Sequence, residues 1–526
     1  MNRQVFHCIA AALLGLGLAG LLLWLGAVAP ARAGSDVHCV NGSGTGCDAI
    51  CGGGCYASVQ AAVNGALPGD QIRIAAGTYT TPAGTVAVIT KELVMHGGYG
   101  QSCGDGDFDP DLHQTVLDAQ WGGSVISITD AGDVSLLHLT LTHGDGSGNC
   151  NNWGCGGGIY ATGTSLHVGH CIVADNVASK NNGMGLGGGI YAYAPNRNVE
   201  IWASRVISNT GNTSPSSVYY SYGGGIFLRY GTAMLRENEV LANVGSSAGT
   251  GGMGGGIYLY NVTQADVLTN TIRGNVATAH NSSGDGGGIY IFGFKAYLAG
   301  NRIENNWTAP NWAGYGGGVF VSNQTEAHLT RNTIINNATA PSNTGFLAPG
   351  GGVFIASSEP VTLSNNLIAR NSASDGDGGG VYVDHDLPAG PVLLVNNTIA
   401  DNGGSGVVVW RYAALTLTNN LIAGHAVGVA NTAPASSTVT ADTNLFWNTS
   451  DPIVGSNPIQ QDPLLTADYH LQPGSPAVDA GLTIPWLTVD LDGNARPQGP
   501  KYDIGACEGV RREVFLPLVL KQQTTA

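Results

Sequence analysis

The chain has 526 residues, of which 81 are glycine, 43% are hydrophobic and only 11% are charged, with a formal net charge of −16. That balance excludes a nucleic-acid binder, which needs a basic surface, and also unaided electrostatic capture of acidic polysaccharides. The hydrophobic fraction leaves enough material for a packed core, provided the glycines are periodic rather than low-complexity.

Residues 1–33 read as a secretory signal peptide. Arg3 gives the positive start, Ala10 to Ala29 is apolar, and Ala31-Arg32-Ala33 offers a small-x-small cleavage site before Gly34. An uncleaved anchor helix is the competing reading, because the stretch nearly reaches membrane-spanning length. No later stretch is long and apolar enough to span.

Residues 34–55 are rich in Cys and Gly, with Cys39, Cys47, Cys51 and Cys55 close together. In an oxidising compartment these are expected as disulfides, as are Cys150 and Cys155. A metal knuckle from Cys47, Cys51 and Cys55 is the sharper alternative. Nine cysteines outside the signal leave one thiol over, with Cys171 or Cys507 expected as the odd one.

Residues 56–80 predict a short helix with Ser58 as its N-cap, a Pro68-Gly69 turn, and a first strand at Gln71 to Ile74. Residues 86–143 give irregular coils. Within them, Gly104 to Asp111 alternates Asp105, Asp107, Asp109 and Asp111 with other residues. The pattern resembles a calcium loop without the closing Glu of the EF-hand, against the plainer reading of a solvated turn.

From about residue 144 a repeat takes over. A Gly-Gly-Gly-(Ile/Val)-(Tyr/Phe) block starts at Gly156, Gly187, Gly223, Gly254, Gly286, Gly316, Gly350 and Gly378. The mean step is (378 − 156)/7 ≈ 32 residues. An asparagine column keeps the same period: Asn176, Asn209, Asn243, Asn275, Asn306, Asn337, Asn371 and Asn402, with His425 in the next slot. A second column runs through Asn238, Asn270, Asn301, Asn332, Asn366, Asn397 and Asn420. The spacing from glycine to asparagine is nearly constant, while the return to the next glycine varies. A constant part with one variable loop predicts a stack of coils, with strands about 4.8 Å apart and asparagines pairing their amides from coil to coil.

These repeats resemble the right-handed parallel β-helix of the pectate-lyase-like superfamily, over most of the mature chain. Residues 56–80 are similar to the N-terminal cap of that fold. The resemblance implies an all-β, single-stranded solenoid over residues 56–445, of about twelve coils, secreted and monomeric. It is specific for fold and weak for activity, because this superfold carries many functions.

Alternation within each block puts Ile257 and Leu259, and their equivalents, inside. It puts Tyr160, Tyr191, Phe227, Tyr258, Tyr290, Phe320, Phe354 and Tyr382 outside. The next outward row carries Tyr193, Arg229, Tyr260, Phe292 and Asp384. Two readings compete. Stacked aromatics stabilise a sheet laterally; alternatively they offer flat faces to sugar rings. The sugar reading makes Tyr191, Tyr193, Phe227, Arg229, Tyr258, Tyr260, Tyr290, Phe292, Trp307 and Trp312 the ligand-binding candidates.

For catalysis, the fold's lyases pair an acidic cation cluster with a basic residue. The candidates here are Asp375 and Asp377 in a loop, then Asp384, His385 and Asp386 after the next strand, with Arg370 or Arg411. Asp375 and Asp377, with Asp105, Asp107 and Asp109, are also the candidate calcium ligands. The same residues serve equally as turn chemistry. The expected function is binding of extracellular polysaccharide or a cell-surface component. A polysaccharide lyase or glycoside hydrolase, and a structural adhesin or spacer, are the alternatives.

Residues 446–509 change character. Asp462-Pro463-Leu464, Pro473-Gly474-Ser475-Pro476, Asp490-Leu491-Asp492-Gly493-Asn494 and Asp503-Ile504-Gly505-Ala506-Cys507-Glu508 resemble the choice-of-anchor module found after bacterial secreted β-helices. It is expected to cap the last coil, its aspartates fixing turns. Residues 510–526 form an apolar tail too short to span a bilayer.

Overall fold

The computed structural model describes residues 36–509, apart from 48, 83, 152, 182, 216–218, 250, 281, 311–313, 340–347, 374–377, 385–389 and 451–454. The signal-peptide and tail readings lie outside the described residues. So do Trp312, Asp375, Asp377, His385 and Asp386.

The chain is a parallel β-helix. Each regular turn lays down three strands, each pairing in parallel with its counterpart one turn on. In one turn these are Ile257–Tyr260, Gln264–Leu268 and Thr271–Arg273, which pair with Ile289–Phe292, Lys295–Ala299 and Arg302–Glu304. Short β-branched runs at period two give this local structure, and the register keeps like residues in columns: Ile257 opposes Ile289 and Tyr258 opposes Tyr290. About ten turns repeat the full pattern. That is fewer than the twelve expected, because the coils before Gly156 are irregular. The inward residues form one continuous apolar core from Val40 to Phe446.

The N-terminal end is more built than expected. Val37–Val40 is itself a strand, parallel to Asp70–Ala75. The helix Val59–Gly65 is capped by Ser58, whose hydroxyl accepts from the Ala61 amide, and it buries Val59, Ala62 and Val63. Disulfides Cys39–Cys51 and Cys47–Cys55 pin this segment. That removes the metal-knuckle reading, since those sulfurs are spent on each other. Cys150–Cys155 closes the third pair, and Cys103, Cys171 and Cys507 remain as buried thiols.

Both asparagine columns form as predicted. Asn243 donates through Nδ2 to Asn275 Oδ1 at 3.0 Å and to the Val206 carbonyl at 2.8 Å, and its amide N–H donates to the same Oδ1 at 3.0 Å. The bends that carry a ladder asparagine thereby pair buried polar groups that the corner would otherwise strand. The second column runs back through Ser204 to Cys171, whose amide donates to the Ser204 hydroxyl, and extends one turn further, from Asn420 to Asn444.

The variable returns are also ordered. Two-residue strands such as Gly154–Cys155, Gly185–Leu186, Ser221–Tyr222, Gly252–Met253 and Gly284–Asp285 stack into a five-stranded sheet of their own. A further four-stranded sheet runs through Val177–Ser179, Thr210–Asn212, Val244–Ser246 and Val276–Thr278.

The C-terminal residues meet the last coil and then leave it. Ser456 and Ile459 bridge onto it, and residues 462–509 then fold back along the flank of the helix. The reason is a change in one outward row. It reads Arg205, Glu239, Thr271, Arg302 and Thr333 in earlier turns, then Leu367, Thr398 and Leu421. The apolar part is covered: Leu421 and Ala423 pack with Leu471, Ala477 and Ile504, and Leu367 and Ala369 with Tyr469. Asn365, Asn396 and Asn419 at successive corners donate to the carbonyls of Val489, Asp503 and Leu482. The module's aspartates do hold turns. Asp490 accepts from the amides of Asp492, Asn494 and Glu508, and Asp503 from those of Asp479 and Gly509.

Candidate functional site

The outward aromatic column exists, with neighbouring rings mostly stacked. Phe227 and Tyr258 lie 5.2 Å apart at 4°, Tyr258 and Tyr290 4.8 Å apart at 17°. It is not a surface. Tyr191, Phe227 and Tyr258 are each 4% exposed and Tyr290 is 6%. The stacked returns cover them, with Leu186, Tyr222 and Met253 packed against the rings. These four ligand-binding candidates are therefore a second core, lying outside the coils. Burial pushes the Tyr191 phenol up to about 12, with Arg229 opposing, and pushes that of Tyr258 higher still.

The row beyond this column is half-exposed. Tyr193, Arg229, Tyr260, Phe292 and Ser322 follow one another in register. The Arg229 guanidinium lies 5.5 Å from the Tyr193 ring centre, 5.3 Å from that of Tyr260 and 5.0 Å from that of Tyr230. Tyr260 stacks on Phe292 at 5.1 Å. The result is a shelf of flat rings about one cation, bordering a dry core. Such a shelf can stack on a sugar face and pair with a carboxylate or sulfate. Tyr230 was not among the residues expected. Its signal is local: it follows the strand Ile226–Arg229 and precedes Gly231 with φ of 61°, and its ring lies beside Arg229. Trp307 is 47% exposed but stands in the row of Val276 and Ala338, not on this shelf.

Of the catalytic candidates, Asp384 and Arg411 come together, with Asp384 Oδ1 3.5 Å from Arg411 Nε. The Asp384 amide donates to the Ile355 carbonyl on the preceding coil, so its backbone continues the ladder. Arg370 is taken by the C-terminal module: its Nε donates to Tyr469 Oη at 2.9 Å, and that hydroxyl donates to Asp401.

The acidic loop spends its carboxylates locally. Asp105 pairs with Arg73 Nη2 at 2.7 Å. Asp107 accepts from the Ser102 hydroxyl at 2.8 Å, and Asp109 accepts from the amides of Asp111 and Leu112. Among the described residues, the groups with three ligand atoms in reach of one ion are Cys39–Cys47–Cys51, whose sulfurs are in disulfides, and His470–Asp492–Cys507.

A cleft of about 460 Å³ lies near the N-terminal end, lined by Asp111, Gln114, His138, His170 and Arg205 among others. His138 and His170 stack at 4.8 Å and 2°, with His96 next to His138. Burial, reinforced by the neighbouring imidazoles, depresses His96 and His138 to about 4. Both are therefore neutral at neutral pH. The sequence signal was available: His138 and His170 are one repeat apart.

Residues 206–387 match the family described as "Right handed beta helix region", which fixes the hand of the coil. No protein of curated function matches the chain significantly in sequence. Solved structures that resemble it include the periplasmic alginate epimerase AlgG, at 12% identity over 75% of this chain and 77% of that one, with a TM-score of 0.34. XylC in complex with xylose resembles it at 9% identity over 90% and 99%, with a TM-score of 0.39. Pectate lyase Pel9A does so at 14% over 90% and 97%, with a TM-score of 0.34. Among the described residues no helix is long and apolar enough to cross a membrane.

Proposed function

We propose that this right-handed parallel β-helix is a secreted or cell-surface protein that binds extracellular polysaccharide on the shelf of Tyr193, Arg229, Tyr230, Tyr260 and Phe292. The observation that carries the reading is Arg229, set among three tyrosine rings at 5.0–5.5 Å on a half-exposed row. A cation held by aromatic faces serves both recognition needs of an acidic sugar chain, ring stacking and charge pairing. The disulfides support an oxidising, exported setting.

Affinity electrophoresis of residues 34–526 against neutral and acidic polysaccharides, with calcium and with chelator, tests the reading. Retardation by an acidic polymer, lost in Arg229→Gln and weakened in Tyr260→Ala, is the expected result. Equal retardation of wild type and both variants would remove the shelf from the site. Release of new reducing ends that disappears in Asp384→Asn would instead establish the lyase or hydrolase reading, which the Asp384–Arg411 contact favours.

A further inference from the structure

The C-terminal module has little ladder of its own. Its internal pairings among the described residues are the antiparallel bridges Leu465–Leu471 and Val489–Ala495. Three of its turns nonetheless converge. A ring nitrogen of His470, a carboxylate oxygen of Asp492 and the sulfur of Cys507 all lie within 4.8 Å of one another. We propose that His470, Asp492 and Cys507 form a binding site for a divalent transition metal of the zinc type, which ties the three turns together.

The donor set selects the metal. Imidazole nitrogen, carboxylate oxygen and thiolate sulfur together suit a borderline-soft ion; calcium and magnesium take oxygen alone. Bonds of about 2.0–2.3 Å in a tetrahedron put ligand atoms roughly 3.3–3.8 Å apart, so closure needs side-chain movements of about 1 Å. The fourth position is left for water.

The backbone around each ligand is already fixed. The His470 amide donates to the Thr466 hydroxyl at 2.9 Å, and the His470 carbonyl accepts from the Thr466 amide at 2.8 Å. Asp490, fully buried, accepts from the Asp492 amide through one oxygen and from the Glu508 amide through the other. It therefore holds the Asp492 turn and the Cys507 segment in mutual register. On the other side of Cys507, the Ala506 amide donates to Thr398 Oγ1 on the coil at 2.9 Å.

A carboxylate for the second shell stands close, though not yet in hydrogen-bonding geometry. Asp468 Oδ2 lies 3.3 Å from His470 Nδ1, while Nε2 faces Asp492 at 2.9 Å. A carboxylate on one imidazole nitrogen orients the other toward an ion. Cys507 is buried, whereas His470 and Asp492 reach solvent, which gives an ion a way in. Unlike Cys39, Cys47 and Cys51, Cys507 has its sulfur available.

The test uses the full mature chain with its disulfides intact, stripped with chelator. Calorimetric titration with zinc is expected to show one equivalent per chain. Cobalt(II) is expected to give the intense near-ultraviolet band of a thiolate-to-metal transition. Cys507→Ser removes that band, and Asp468→Asn weakens zinc binding roughly 10–100-fold. Should Cys507→Ser fail to fold, the partly exposed His470→Gln reads the same loss. Absence of stoichiometric binding, or binding with no thiolate band, or binding unchanged in the His470→Gln, Cys507→Ser double variant, would each overturn the site.

Discussion

Asn402 Nδ2 lies 3.2 Å from Nε2 of His425, and at this point the inner asparagine ladder changes its chemistry. The amide can donate only to an unprotonated nitrogen, so the ladder requires neutral His425 with its proton on Nδ1. Burial depresses His425 to about 4, with the nearby Asp401 pulling the other way. The folded state thus refuses a proton that the unfolded chain accepts below about 6.5. Stability is full above that pH and falls as the pH drops to about 4, by about 3 kcal/mol from this residue. His96 and His138 add to the same window. Urea denaturation at pH 7 and pH 4.5 checks this. His425→Asn, which restores an amide oxygen to the slot, is expected to lessen the acid loss. An unaltered acid loss would show that the ladder end is not the sensor.

Within the ladder, Asn306→Ala leaves the Asn275 amide N–H without its acceptor, takes one of the two acceptors of Asn275 Nδ2, which keeps the Val240 carbonyl, and leaves the Ile272 carbonyl without its side-chain donor. Orphaned buried groups cost about 1–3 kcal/mol each, so a loss of about 3–5 kcal/mol is expected in denaturant titration. A loss under about 1 kcal/mol would mean that water replaces the amide.

Burial and binding separate along two adjacent rows of rings. Phe227→Ala is expected to cost about 3–5 kcal/mol, because its ring is 4% exposed between Tyr191 and Tyr258. Tyr260→Ala, half-exposed, is expected to cost far less while weakening polysaccharide retardation. Comparing melting and affinity for the two variants decides whether the division holds.

Two glycines on the same turn give a sharper contrast. A Cβ on Gly255 would meet the Val276 carbonyl carbon at 2.4 Å and the Gly287 oxygen at 2.6 Å, both backbone. Gly255→Ala is therefore expected to displace the covering returns and to lower the melting temperature markedly. Gly274 has φ of +66° and open space around it. The same corner holds Asp175, Asn305 and Asn336 at φ of 55–56° in other turns. Gly274→Asn is expected to be nearly neutral, as Asn tolerates that conformation.

These outcomes also show where the sequence was sufficient. The coil and both ladders were readable because each recurs at a fixed offset, with Asn275 and Asn306 31 residues apart and nothing else required. Burial of Tyr258 was not readable. It depends on Gly252–Met253 pairing with Gly284–Asp285, two-residue strands with no alternation to detect. The course of the C-terminal module depends on contacts such as Asn396 with Asp503, 107 residues apart. Its one early sign was the apolar switch from Arg302 to Leu367 on the outer row. The shelf was legible in Arg229 and Tyr260 and missed at Tyr230, whose position comes from a left-handed residue before Gly231.

The fold-back of residues 462–509 also imposes an order on assembly. A repeat stack can wind turn by turn, each coil needing only the one before it. The flank module cannot dock until the coils bearing Leu367, Thr398 and Leu421 are laid down, because its partners lie on several of them at once. For a chain that emerges amino end first, residues 462–509 come out after the turns they fasten together. The rod is thus fastened by a late step that a chain cut before residue 462 cannot perform.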